Sequence, residues 1–309
     1  MTRPAPTPRP TRRRSVLQLG VLAAIWGTSF LFIKVGLEGV SAVQIVLGRL
    51  LAGAAVLLVI VAVRRQPLPR SPRTWGHLAL MGLVANIVPF YLFAWGEQRA
   101  SSSLAGIYNA TTPLLTLLVA IAVLPVERPN LARTVGLLLG FLGVVTVLGP
   151  WRGLGAASVT GQLAFLGAAA CYGVAFVYTR RYLSGSGHSP LVLATAQLVC
   201  AAAAMIVLSP LVATDPVRLP ARVVLSVLAL GAVGTGLAYL LYYGLIAELG
   251  ATTASTVTYY IPIVAVTLGV VVLGEEVRWN DFVGAAIVVL GVAVAEGRLR
   301  WWPASRSHA

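Results

Sequence analysis

Acidic side chains are scarce in this chain: nine Asp and Glu stand against 23 Lys and Arg in 309 residues, and charged residues make up only 10%. A soluble domain carries about 25% charged residues, so an ordinary water-solvated surface is excluded. Hydrophobic residues at 58% place the chain in a lipid bilayer instead. Cysteine is nearly absent. Cys171 and Cys200 both lie in apolar runs, which leaves neither a disulfide framework nor a thiolate metal centre. Three scattered histidines, His77, His188 and His308, do not supply a metal site, and no cofactor is expected. With no Ser-His-Asp set, metal cluster, P-loop or ATPase domain in view, the chain is not expected to be an enzyme. The few carboxylates also matter by position. Glu38, Glu97, Glu127, Glu248, Glu275, Glu276 and Glu296 all fall at the ends of apolar runs, so the buried acid that commonly relays protons in pumps is not expected.

What is abundant is long apolar runs. About 20 residues cross the hydrocarbon core, and ten such stretches are present: 16–36, 41–63, 75–96, 102–124, 131–149, 160–182, 190–212, 222–246, 251–273 and 280–296. Membrane β-barrels alternate over about ten residues per strand; these runs do not, so the expected fold class is an all-α membrane protein. Residues 1–15, rich in Pro and Arg, are expected to form a disordered basic tail, and 298–309 a second tail. A signal peptide fits poorly, because the first run outlasts an h-region and is followed by nine more. A net charge of +14 would suggest nucleic acid in a soluble domain. Here the basic residues sit in tails and short loops, where they read as topology signals. Placing both termini in the cytoplasm puts sixteen Lys and Arg inside, six outside, and Arg49 within a span. The expected location is the inner (plasma) membrane, with lipid as the surrounding partner and no nucleic acid.

The chain is also written twice. GIYNATTPLLTLLVAIAVLPVE and RTVGLLLGFLGVVTVLG are echoed by STVTYYIPIVAVTLGVVVLGEE and FVGAAIVVLGVAVAEG. Pro113 matches Pro262 at an offset of 149; Glu127, Gly136 and Gly143 match Glu275, Gly284 and Gly291 at 148. Weaker traces pair Trp26 with Tyr172 and Lys34 with Arg180 at 146, and Arg49 with Gln197 at 148. The units are 16–149 and 160–297. Five spans is an odd number, so the second copy enters the membrane from the opposite face, giving inverted repeats.

With the WGTSFLFIKVGLE opening, Arg49 in the second span, and the Pro113/Glu127 and Pro262/Glu275 pattern, the chain resembles EamA-type members of the drug/metabolite transporter superfamily. That resemblance implies ten helices in two inverted five-helix repeats, a central cavity, and movement of small metabolites such as amino acids, often outward. The alternatives are an uptake permease, a nucleotide-sugar-like carrier or, from another class, a membrane enzyme or lipid-handling protein. A small multidrug-resistance type exporter would want a carboxylate inside its first span, and none is there.

Proline inside a span frees a backbone carbonyl, which hydrocarbon tolerates only against protein or a watery cavity. Pro89, Pro113 and Pro262 therefore mark helix breaks near the cavity, with Gly231, Gly234 and Gly236 standing where span eight lacks a proline. Around them the candidate substrate-cavity residues are Trp26, Arg49, Asn86, Trp95, Tyr108, Asn109, Tyr172, Gln197, Tyr239, Tyr243 and Tyr259. Aromatic walls with a few amides suit a small organic solute; an interfacial belt is the alternative for aromatics that flank spans. Arg49 has three readings: an internal partner such as freed carbonyls, the anionic end of a substrate, or snorkelling to headgroups. Glu127 and Glu275 are expected to stabilise a turn and helix start. The Gly136/Gly140 step is a face on which a second copy could pack as a homodimer.

Overall fold

A computed structural model describes residues 12–124, 130–152, 156–183, 185–249 and 256–298, all of whose regular elements are helices. The long apolar helices are α1 (Val16–Gly36), α2 (Ala42–Val63), α3 (Pro72–Glu97), α4 (Ser102–Val123), α5 (Leu131–Leu148), α6 (Val159–Tyr182), α7 (Pro190–Val212) and α8 (Ala221–Ile246). Two shorter ones complete the ten, α9 (Val257–Leu273) and α10 (Trp279–Ala295). Local chemistry sets their ends. Ser41 and Ser189, equivalent in the two repeats, accept from Gln44 N and Val192 N as N-caps of α2 and α7. Gly149 and Gly297 end α5 and α10 at φ 60° and 69°, a left-handed turn that glycine adopts without a Cβ penalty.

Packing follows the duplication. α1 lies against α9 as α6 lies against α4; α3 lies on α6 as α8 lies on α1; α2 faces α7, and α5 pairs with α10. The last pair approaches backbone to backbone. A Cβ on Gly291 would stand 2.6 Å from Gly140 N and 2.7 Å from Gly136 O, and one on Gly143 2.8 Å from Gly284 O. The glycine step thus meets its counterpart in the other repeat, and that face is occupied by this chain's α10. Outward faces stay apolar and exposed, as at Leu138, Phe141, Val207, Leu211 and Val271, which is the surface a multi-pass protein presents to lipid.

The three sequence-marked breaks differ in kind. α4 is interrupted at Ala110–Thr111, and Pro113 opens its second half. The carbonyls left there are taken by hydroxyls: Thr111 Oγ1 donates to Tyr108 O (2.7 Å) and Thr112 Oγ1 to Asn109 O (2.8 Å). Asn109 O is therefore not the bare acceptor expected from Pro113. α9 runs through Pro262 as a helix described from Val257 to Leu273. In α3 the irregularity is a π-turn at Leu83–Ile87 just before Pro89, and α8 carries its counterpart at Ala232–Leu237, beside the glycines. π-turns of this kind are frequent at functional sites.

Candidate functional site

Those two π-turns place one polar side chain each at the centre of the bundle. Asn86 and Thr235, related by an offset of 149, are both wholly buried. Thr235 Oγ1 accepts from Arg49 Nε of α2 at 2.9 Å, and Asn86 Oδ1 accepts from Gln197 Nε2 of α7 at 2.6 Å. Arg49 and Gln197 are themselves repeat equivalents. The same contact is therefore made twice, each time joining the second span of one repeat to the third span of the other. Arg49 is 8% exposed, and its guanidinium carbon lies 3.6 Å from the Phe90 ring centroid, a desolvated stacking geometry. Asn86 Nδ2 reaches on to the Tyr239 hydroxyl at 3.4 Å.

A cavity of about 600 Å³ opens beside these pairs. Its lining also comes in repeat pairs: Trp26 with Tyr172, Phe30 with Phe176, Phe90 with Tyr239, Phe93 with Tyr242, and Asn109 with Thr258. It extends from Arg49 and Gln197 to Thr179, Arg180, Gly185, His188 and Pro190, at the α6–α7 connection. The opposite end is shut by links between the repeats. Arg218 N donates to Gly39 O (2.8 Å), Gln44 Nε2 to Asp215 O (2.8 Å), and Arg222 pairs with Glu38 at 2.7 Å. Glu275, just past α9, accepts from Ser102 N (2.7 Å), Ser103 N (3.0 Å) and Ser103 Oγ (2.6 Å). The carboxylate thus caps the start of α4 in the other repeat, where the unsatisfied amides and helix dipole favour negative charge. Glu127, its equivalent, lies outside the described residues.

Of the sequence candidates, Trp26, Arg49, Asn109, Tyr172, Gln197, Tyr239 and Tyr243 line the cavity. Asn86 stands behind the wall, hydrogen-bonded to Gln197 and Tyr239. Trp95, Tyr108 and Tyr259 are elsewhere. Trp95 stacks under Arg99, Tyr108 is buried and donates to Gln162 Oε1 at 2.9 Å, and Tyr259 donates to Glu296 Oε2 at 2.6 Å. Pro89, Pro113 and Pro262 are not lining residues, although Ala85, Asn109 and Thr258, each four residues before one of them, are. Sequence reasoning missed Thr235 as the partner of Arg49; the offset of 149 from Asn86 is the signal that points to it. It also read every carboxylate as a span-end group. Glu97 does end α3, yet it is 0% exposed, because the neighbouring helices close over it.

Among the described residues no acidic side chain lines the cavity, while Arg49, Arg180 and His188 do. Apolar rings with a few hydroxyls and amides and a buried cation make a chamber for a small organic solute. The comparisons with known proteins agree with a transporter of this build. The chain is 22% identical over 281 residues to the uncharacterized transporter YoaV of Bacillus subtilis, covering 89% of this chain and 95% of that one. It is 26% identical over 289 residues to a probable terminal-alkyne amino-acid exporter of Streptantibioticus cattleyicolor, covering 92% and 94%. A crystal structure of 23% identity superposes with a TM-score of 0.64 over 94% of this chain and the whole of the other, which establishes the fold. The sequence model of the EamA-like transporter family matches twice, at residues 14–149 and 159–296, and this chain belongs to that family.

Proposed function

We propose that the protein exports small amphiphilic metabolites, amino acids or related compounds, across the plasma membrane by alternating access, with both termini in the cytoplasm. The observation that carries the reading is the cavity that reaches the α6–α7 connection, aromatic and cationic, with no lining carboxylate among the described residues. Its mouth lies at the α6–α7 connection, which with the α2–α3 connection carries Arg64, Arg65, Arg70, Arg73, Arg180 and Arg181. The positive-inside rule favours the cytoplasm for that basic end; on that orientation the mouth faces inward, where a solute for export would load. Rings of Trp26, Tyr172, Tyr239 and Tyr243 receive an apolar body; Arg49 receives a negative end, since its Nε is fixed on Thr235 and the guanidinium borders the cavity. The relative whose name specifies an amino-acid exporter supports this solute class.

Comparing metabolites inside and outside cells with and without the protein tests the direction and the class together. Export predicts that one or a few carboxylate-bearing solutes build up inside cells lacking it and fall in the medium. Reduced uptake of a solute in those cells would make the protein a permease instead.

A further inference from the structure

Glu97 occupies the shut end of the bundle under conditions unusual for an acid. It is fully shielded, and neither Oε1 nor Oε2 accepts a hydrogen bond among the described residues; the hydroxyl oxygen of Ser102 close by is buried and unpartnered too. Charged groups face it from three elements: Lys34 of α1, Glu275 past α9 and Arg49 of α2. Each has a partner other than the Glu97 carboxylate. The Lys34 ammonium donates to the backbone carbonyls of Glu97 (2.5 Å) and Ala100 (3.1 Å). Arg49 is held by Thr235 and Phe90, and Glu275 is a second negative charge already bound to Ser102 and Ser103. α6 packs Gly161 and Phe165 against Gly96 of the same turn. An ionised carboxylate here has lost water and gained no donor.

We propose that Glu97 is a proton-binding site that latches the outer end: it carries a proton while that end is shut and releases it to outside water when the end opens. A proton fits where a metal ion does not, because the Lys34 ammonium already holds the adjacent carbonyls and repels a second cation. Glu97 does not line the cavity, so the proton enters and leaves on one side. External pH then sets the balance of the two states without protons crossing the bilayer. The inference rests on the alternating-access reading above. Its sign follows from linkage: the shut state binds one more proton, so raising the pH favours opening, by up to about tenfold in the open-to-shut ratio per pH unit.

The test uses the full chain in lipid nanodiscs, with Cys171 and Cys200 replaced by Ala, so that both faces meet the same buffer. Val223, fully buried against Gly39 at this end, is changed to Cys and labelled with a maleimide. Thr214→Cys, exposed in the connection before α8, corrects for the pH dependence of thiol reactivity. The corrected labelling of Val223→Cys is expected to rise several-fold as the buffer pH is raised. Glu97→Gln, a permanent stand-in for the neutral acid, should hold labelling low and flat, and Glu97→Asp should keep a pH response. An unchanged response in Glu97→Gln, or a flat ratio with Glu97 intact, overturns the latch. Closure by sodium at constant pH overturns it in favour of a cation site. If Glu97→Gln fails to fold, the intact protein and Glu97→Asp still decide. A flat ratio in protein that transports its solute removes the latch and leaves the transport reading standing.

Discussion

Breaking the Arg49–Thr235 contact should cost energy that is measurable and assignable. Arg49 Nε lies 2.9 Å from Thr235 Oγ1 and the guanidinium 3.6 Å from the Phe90 centroid. Interhelical hydrogen bonds in membrane proteins couple by about 0.6 kcal/mol on average and up to about 1.7. A buried cation on an aromatic face adds up to about 2 kcal/mol. The cycle Arg49→Gln, Thr235→Val and the double variant, read by SDS-driven unfolding from mild detergent, should therefore show a coupling near about 1 kcal/mol. The cycle Asn86→Ala with Gln197→Ala should give a coupling of similar size, because it is the same contact in the other repeat. Arg49→Lys should recover little of the loss, since an ammonium presents no planar fork to both Thr235 and Phe90. Additivity within about 0.3 kcal/mol in the Arg49–Thr235 cycle would refute the reasoning. Arg49 would then be held by its stacking on Phe90 or by solute rather than by the Thr235 hydroxyl.

Three further expectations concern orientation, packing and motion. On a background without Cys171 and Cys200, Ser71→Cys and Ser186→Cys should resist an impermeant thiol reagent in intact cells while Thr214→Cys reacts; labelling at Ser71 would reverse the assigned orientation. Gly291→Ala should destabilise by about 1–3 kcal/mol, because its Cβ meets the backbone of Gly136 and Gly140, whereas Gly20→Ala, with nothing within 4 Å, should be neutral or gain up to about 1 kcal/mol in a denaturation series. The offset that relates Asn86 to Thr235 carries Glu97 to Ile246, and Lys34 corresponds to Arg180, so closing the mouth should bring Arg180 toward the end of α8. Disulfide cross-linking of Arg180→Cys with Ile246→Cys should then rise under conditions that open the far end to label, and a fall would refute such an exchange.

The helices were legible because crossing hydrocarbon imposes a length that composition alone reveals, and nine of the ten spans begin and end within a few residues of the expected positions. For the ninth, residues 251–255 lie outside the described residues. Which face a side chain takes was not legible by the same means. Tyr108 and Tyr239 are both aromatic residues well inside spans, but one turns toward Gln162 and the other to the cavity; depth in a span says nothing of azimuth. The π-turns have no residue code of their own, and only Pro89 and the three glycines of α8 hinted at them. Glu97 shows the converse error. A position at a span end exposes a residue only if no other helix covers it, and here the other repeat does.

Departures from the repeat carry more functional information than the repeat itself. Backbone duplication places aromatic residues of α3 and α8 at matching points, yet Phe90 and Phe93 on one side face Tyr239 and Tyr242 on the other. The polar pairs differ in the same sense, Arg49 on Thr235 against Gln197 on Asn86. At the centre of the chamber one half thus brings Arg49 with the bare rings of Phe90 and Phe93, and the other Gln197 with the hydroxyls of Tyr239 and Tyr242. An asymmetric solute can settle there in one orientation, because the two halves differ in these side chains. Specificity should therefore respond to swapping Phe90 with Tyr239 or Arg49 with Gln197, whereas paired helix contacts away from the cavity, such as the α5–α10 glycines, should respond in stability alone.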